Sequence, residues 1–449
     1  MNEEAKLDLT QGNPYRLLIT FAIPMLIGGV FQLLYSTVDT IVVGKFVSSD
    51  ALAAIGATTS AMSLMLYFSM GFTNAASVLV AQAAGAKEEV RIRKSIIHGI
   101  YVAVGLSFIL GVISLLGANT ILKMLNTPDN IFDMAKQYFC ITCGLIIGQV
   151  LYNGVAAILR SFGDSRTPLY FMIFASVLNI FLDLLLVIVF SWGVVGVAIA
   201  TVFSQFTSAV LCLVYAIRKY PSLHVQKDEF ALDKDIMSEY IKMGLPMGLQ
   251  QAFLSVGMLV ITRVINGFGS DCMAAYTIGS KVENIACVAY SQVAFSFSVY
   301  SGQNYGAKEY KRIKEGLKAA LILVSGLALV STVIVLLFSR PITLMFVDSN
   351  ETDVITAAVQ MVRIEAVFYV ALGAIWLYNC ALRGMGFIPV TIASSVIELL
   401  SKIILSIVLS SMFGYVGIWF AAPLGWVLGW IPSFIYEQRW EKVIMKGLI

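Results

Sequence analysis

Long apolar runs separated by short polar turns fill this chain from end to end. A helix needs about 20 mainly apolar residues to cross a bilayer. Twelve stretches qualify, over residues 15–43, 52–82, 95–117, 133–158, 168–190, 193–217, 241–266, 273–303, 315–338, 355–381, 389–412 and 415–437. Glycine and proline punctuate several of them, as bilayer helices permit. The pattern predicts an all-α polytopic membrane protein. A membrane β-barrel would alternate apolar and polar residues in short segments, and these blocks do not. Composition agrees: 59% of residues are hydrophobic and 13% charged, against about 25% charged in a soluble domain.

The basic residues give the spans a direction. Lys87, Arg91, Arg93 and Lys94 follow the second span, and Arg160 and Arg166 follow the fourth. Further clusters follow the sixth (Arg218, Lys219, Lys227, Lys234, Lys242), the eighth (Lys308, Lys311, Arg312, Lys314, Lys318) and the tenth (Arg383). Most of the 30 Lys and Arg therefore fall on one side. The positive-inside rule makes that side the cytoplasm, with both termini there, in a plasma (inner) membrane. The start, MNEEAKLDLT, is acidic and has no apolar core, so no cleavable signal is expected.

The two halves resemble each other. QAAGAKEEVRI at Gln82–Ile92 matches QNYGAKEYKRI at Gln303–Ile313, an offset of 221. Trp192, Gly193 and Gly196 match Phe413, Gly414 and Gly417 at the same offset. Leu159-Arg160 matches Leu382-Arg383 after a two-residue slip, and Pro24 matches Pro246 after a one-residue slip. Six spans per copy make the repeats parallel, a layout common in secondary transporters. The expected division is an N-lobe over 1–217, a linker over 218–240 and a C-lobe over 241–449.

Two acids stand out in the first half. Asp39 lies in FQLLYSTVDTIVVG and Asp183 in ASVLNIFLDLLLVIVF. A carboxylate at the bilayer centre costs roughly 2.5–3.5 kcal/mol on the mildest scales, so such residues mark function by default. Counting from the nearest turns at 1.5 Å per residue puts Asp39, Asp183 and Thr201 at a common depth, roughly 9–15 Å below the outer surface. Asn179 shares a helix face with Asp183, one turn deeper. Two carboxyls, an amide and a hydroxyl form an oxygen-rich set suited to a proton or a hard cation, with Na⁺ as the metal candidate. At the 221–222 offset the second-half partners are Val260 or Ile261, Leu400, Ile404 and Ala422, all apolar or methyl-bearing. That asymmetry predicts one cation site, in the N-lobe.

The second half carries other charges: Lys281, Glu283, Glu365, Glu398 and Lys402. Glu398 and Lys402 are spaced to pair along one helix. The group is either a charge-compensated network of the C-lobe or part of a cavity for cationic substrate. Cys140 and Cys143 have CxxC spacing without a second pair and are expected in the core. His98 and His224 are expected at the surface, without metal-ligand partners.

These features together resemble the multidrug and toxic compound extrusion (MATE) family, over nearly the whole length. The resemblance rests on the two six-span bundles, Pro24 in the first span, Val38-Asp39-Thr40, the paired Gln-x-x-Gly-Ala stretches, and Leu-Arg-x-x-Gly after the fourth and tenth spans. It implies that Asp39, Asn179, Asp183 and Thr201 bind H⁺ or Na⁺, and that protonation bends the first span at Pro24. Another branch of the family places acids where this chain has Leu254 and Leu372, so that C-lobe site is absent by this alignment.

The expected function is antiport: export of amphipathic, often cationic organic compounds in exchange for H⁺ or Na⁺, by alternating access. The alternative is a flippase for a lipid-linked substrate, which would favour basic residues in its cavity. An intramembrane enzyme is disfavoured, because DDxxD, HExxH, GxSxG and nucleotide-loop motifs are absent from the sequence. No catalytic residue, cofactor, ATP or nucleic-acid partner is expected. The partners are a small organic substrate and membrane lipid, and the chain is expected to act as a monomer.

Overall fold

The computed structural model describes residues 7–445, with side chains omitted at 33, 35, 36, 222, 254–256, 259, 444 and 445. Among the described residues the architecture is helical throughout. The first repeat contains α1 (Pro14–Phe46), α2 (Ser49–Gly85), α3 (Glu89–Met124), α4 (Asp129–Gly144), α5 (Ile147–Ser161), α6 (Arg166–Leu184) and α7 (Gly193–Lys219). The second contains α8 (Lys234–Asn266), α9 (Ser270–Gly306), α10 (Tyr310–Thr343), α11 (Thr352–Val367), α12 (Tyr369–Gly384), α13 (Ile388–Phe413) and α14 (Tyr415–Met445). Helices α4 and α5 are two arms of one span bent by 40°, and α11 and α12 are two arms of another bent by 53°. Counted that way, the fold has the twelve spans that the apolar runs predict.

Eight helices, and the two bent pairs, are long and apolar enough to cross a membrane by composition. Helices α8 and α9 have the length but not the apolarity. They carry Gln250, Gln251, Lys281, Glu283 and Asn284, which lowers their mean hydropathy.

The chain divides into two compact units. Unit 1 is Met1–Asp8 with Ile23–Gln251, and unit 2 is Leu9–Ala22 with Ala252–Ile449. Both α1 and α8 therefore change unit along their length. The change comes beside Pro24 in α1 and a few residues after Pro246 in α8. Proline has no N–H to give the preceding turn, so it weakens the helix at that point.

Within unit 1, the first part of α8 meets α2 at a very close crossing. A Cβ on Gly71 would lie 2.1 Å from the backbone N of Gly248, and one on Gly244 would lie 2.5 Å from the Phe72 ring. Small residues let membrane helices approach this closely. Residues between α7 and α8 dock on α3. Arg93 Nε donates to both carboxyl oxygens of Glu229 (2.9 and 2.8 Å), and Lys94 pairs with Asp233 at 2.9 Å. His98 is buried, not at the surface as the sequence suggests. Its Nε2 accepts from the Asp233 N–H at 2.8 Å, and its Nδ1 lies 2.7 Å from the Lys94 carbonyl. His224 is exposed.

Within unit 2, the segment before α1 is held by the second Gln-x-x-Gly-Ala stretch. The Leu9 N–H donates to Gln303 Oε1 at 3.2 Å, Asn304 Nδ2 donates to the Leu9 carbonyl at 3.0 Å, and Arg312 Nη2 donates to the Gly12 carbonyl at 3.0 Å.

The turns repeat as well. Lys87 and Lys308 are both left-handed (φ 58° and 60°), as are Gly163 and Gly386 (85° and 88°) and Gly193 and Gly414 (54° and 63°). A non-glycine residue adopts such a φ uncommonly, so its recurrence at Lys87 and Lys308 marks a duplicated loop.

Candidate cation site

Helix α6 buries one stripe: Thr167, Pro168, Ala175, Ser176, Asn179 and Asp183. The spacing of three and four residues puts them on one face. The opposite face is apolar and open, with Val177 and Phe181 among its residues. Asp183 and Asn179 are fully buried, while Asp39 and Thr201 are partly so.

The structure brings all four predicted residues together within unit 1. Asn179 is satisfied when its amide oxygen accepts from the Thr201 N–H (3.2 Å) and its Nδ2 donates to Asp183 Oδ2 (3.0 Å). This orientation follows from the hydrogen-bond network. The carboxyls of Asp39 and Asp183 lie within hydrogen-bonding reach of each other. Such a bond exists only while one of them carries a proton. Oδ1 of each aspartate is buried and has no hydrogen-bond partner. Two carboxyls, each with an idle oxygen, in an otherwise apolar bundle make an acceptor-rich cage. It can hold one proton between them or a small cation in its place. Pro24 is buried in α1, in the same unit and fifteen positions before Asp39.

One local feature was invisible in the sequence. Directly after Asp183, α6 gives way to a π-turn over Leu185–Val189, with the Phe190 N–H donating to the Leu185 carbonyl at 3.1 Å. Single π-turns inside α-helices recur at functional sites. The Trp192 N–H donates to the Leu186 carbonyl at 3.0 Å, and a Cβ on Gly196 would lie 3.1 Å from Leu186 Cβ. The π-turn is thus packed directly on the start of α7.

The π-turn also corrects the repeat register. Gly163 and Gly386 are 223 residues apart, and so are Leu186 and Leu409, which pack on Gly196 and Gly417 respectively. The offset falls to 221 only at Gly193 and Gly414. The first copy's two extra residues therefore lie between Leu186 and Gly193, in the π-turn and the bend behind it. Along α6 the true offset is 223. It pairs Ala175 with Glu398, Asn179 with Lys402, and Asp183 with Ser406. An α-helix turns by about 100° per residue, so a two-residue error lands nearly on the opposite face. Leu400 and Ile404, the partners expected from the sequence, indeed lie on the exposed side of α13. The second repeat is therefore polar where the first holds its site on α6. The expectation of apolar partners holds only for Ile261 and Ala422.

Those C-lobe charges form a separate group in unit 2. Lys402 Nζ pairs with Glu398 Oε1 at 2.6 Å and lies 5.6 Å from the centre of the Trp426 ring. Glu283 and Glu365 lie within electrostatic reach of Lys402. Glu365 is 2% exposed, and its Oε2 has no hydrogen-bond partner. Lys281 is exposed, with its ammonium 5.7 Å from the centre of the Phe346 ring. Leu372 is buried in α12, whereas the Leu254 side chain lies outside the described residues.

The turn between α5 and α6 is held by a third charged group. Asp164 is fully buried. Its carboxyl accepts from Thr167 Oγ1 (2.6 Å), Tyr220 OH (2.5 Å), Lys219 Nζ (3.1 Å) and the Thr167 N–H (2.9 Å). Burial pushes this carboxyl up, but those hydrogen bonds outweigh it and hold it below its ordinary value.

The fold is that of a multi-pass helical membrane protein made of two six-span repeats. The pattern that characterises the MatE family matches residues 24–185 and again 246–408. The chain therefore belongs to the MATE family of multidrug efflux transporters. The two matched segments end 223 residues apart, the register seen along α6 and α13. The chain is 25% identical over 446 residues to the probable multidrug resistance protein YoeA of Bacillus subtilis, covering 97% of this chain and 96% of that one. It is 24% identical over 442 residues to the probable multidrug resistance protein NorM of Thermotoga maritima, covering 95% and 93%. In three dimensions it resembles an outward-facing MATE family transporter of the MOP superfamily, with TM-score 0.91 at 20% identity over 99% of both chains. A MATE structure in the bent conformation gives TM-score 0.91 at 21% identity over 98% of both chains.

Proposed function

We propose that this chain is a cation-coupled antiporter that exports amphipathic, often cationic organic compounds in exchange for H⁺ or Na⁺. The observation that carries the reading is the facing pair Asp39 and Asp183, each with an idle buried oxygen. Loading a cation there neutralises charge that the surrounding apolar bundle otherwise disfavours. Losing it restores a repulsive pair that the bundle relieves by changing shape. Pro24 is the point at which α1 yields most easily, because one helix hydrogen bond is missing there. Alternation between states open to either side then couples cation entry to release of the organic guest. Relatives described as multidrug resistance proteins support the class of guest. The basic loops support placing both termini in the cytoplasm and the chain in the plasma membrane. The flippase alternative asks for buried cations free to meet an anionic head group. Lys402 is engaged by Glu398 and Lys281 is exposed, which favours drug export.

The test is uptake of a fluorescent organic cation by vesicles under an imposed pH or Na⁺ gradient. Asp39→Asn and Asp183→Asn are expected to reduce gradient-driven uptake to the passive leak. Full gradient-driven transport in both variants would end the reading.

A further inference from the structure

Both repeats hold acids inside the bundle, yet one feature distinguishes the two groups. In the register set by Leu186 and Leu409, Lys402 stands where Asn179 stands, and Glu398 stands one turn deeper, where the first repeat has Ala175. The first repeat has acids with idle oxygens and, among the described residues, no lysine or arginine within the cluster. The second has acids together with an ammonium group anchored to the chain.

The surroundings are shaped for that lysine. A Cβ on Gly425 would lie 2.5 Å from Lys402 Cγ, and one on Gly429 would lie 2.7 Å from Glu398 Cβ. These two glycines of α14 make the groove in which the ion pair lies. Trp426, between them, turns its ring toward the ammonium. Glu283 on α9 and Glu365 on α11 add two carboxyls within electrostatic range of Lys402, without a direct bond to it. Tyr276, Tyr290 and Tyr369 are the other titratable groups that feel these acids, with Cys287 beside them. The hydroxyls of Tyr290 and Tyr369 and one oxygen of Glu365 are buried without partners. Three carboxyls with one resident cation leave the group short of positive charge, and buried acids are stable only when paired or protonated.

We propose that Lys402 is a tethered cation of the second repeat: its ammonium serves the acids of α9, α11 and α13 as the exchangeable cation serves Asp39 and Asp183. Lys402 thereby keeps the C-lobe acids from acting as a second coupling site. This rests on the coupling role of the N-lobe pair. It makes Lys402 the residue that confines exchange to one lobe, and removing it opens the C-lobe acids to a mobile monovalent cation.

The experiment uses the full-length chain in proteoliposomes and in detergent. Asp183→Asn alone comes first. If it keeps gradient-driven uptake, the N-lobe reading fails, whatever Lys402 does. If it loses uptake, Lys402→Met is added to Asp183→Asn. The expected result is a thermal unfolding midpoint that rises with added Na⁺ or with falling pH, and loses that response when Glu365→Gln is added. The Asp183→Asn protein itself is expected to lack the response. The pair Glu398→Gln with Lys402→Met removes one charge of each sign. It gives the same readout where the single lysine change does not fold. The proposal is overturned if folded Lys402 variants show no cation response beyond that of Asp183→Asn. It is equally overturned if Glu365→Gln alone, with Lys402 in place, abolishes gradient-driven uptake.

Discussion

Helices α6 and α13 are copies of one ancestral span, and they have diverged in opposite electrostatic directions. On α6 the buried stripe ends in Asn179 and Asp183, with Asp39 brought across from α1. On α13 the corresponding stripe runs through the partly buried Glu398 and Lys402 to the buried Ser406, with its charge compensated within a single helix. The first leaves acceptors unfilled, and the second fills its nearest acceptor with its own ammonium. A site that must exchange its guest needs the former. A lobe that must hold its shape is served by the latter. The π-turn accompanies the difference: it follows Asp183 in α6, while α13 runs as an uninterrupted α-helix to Phe413.

The largest effect expected in testing this comparison is on coupling itself. Asp183→Asn should remove gradient-driven uptake, while Glu365→Gln should leave its dependence on the gradient in place. Equal losses in the two variants would erase the distinction between the lobes.

Next comes the π-turn. Removing residues 188 and 189 gives the first repeat the length of the second. It should draw the end of α6 into a plain α-helix like α13 and take away the π-turn that follows Asp183. Coupling should fall to the leak while helical content by circular dichroism is retained. Retained coupling would show that the π-turn does not orient the site.

The turns beneath the two helices give a third contrast. Asp164 buttresses the first with hydrogen bonds. At the 223 offset its counterpart is Phe387, packed among Tyr305, Tyr436 and Trp440. Asp164→Ala should cost about 1.5–3 kcal/mol, as expected for bonds to a charged group. Phe387→Ala should cost at most about 3 kcal/mol, since its ring is only partly buried. The two should differ in pH dependence. A depressed carboxyl adds stability that is fully present above the ordinary aspartate value of 3.8. That stability drains away as pH falls below it toward the folded-state value. Thermal unfolding between pH 3 and 7 should therefore show the cost of Asp164→Ala shrinking in acid, and that of Phe387→Ala unchanged.

The smallest effect is at the prolines. Pro24→Ala should slow transport without abolishing it, by stiffening the helix that carries Asp39. Pro246→Ala in α8 should do less, since its helix bears Ile261 where α1 bears Asp39. The ratio of the two uptake rates measures how far bending of α1 is specific to the cation site.

How much of this was legible beforehand differs from residue to residue. Asp39 and Asp183 were readable because a carboxyl among apolar residues is conspicuous at any register. Their convergence with Asn179 and Thr201 was readable from depth, since helical rise is constant. The partners of α6 in the second repeat were not. The sequence shows a slip of two residues between Leu159 and Gly193 but does not say where it is taken up, and rotation about the axis makes that location decisive. The burial of His98 leaves no local mark in the sequence, because it comes from residues around 233, on the far side of α7.

The chain by itself determined twelve helices, two parallel repeats and a small set of intramembrane charges. Each follows from local physics: the cost of polar groups in lipid, the length needed to span it, and the persistence of duplicated motifs. Only the tertiary structure decided which charges meet. It placed the π-turn after Asp183, moved the start of α8 into unit 1, and set Lys402 against Glu398 in the glycine groove of α14. Those outcomes depend on how helices rotate and close on one another, and a shift of one residue changes that rotation by about 100°.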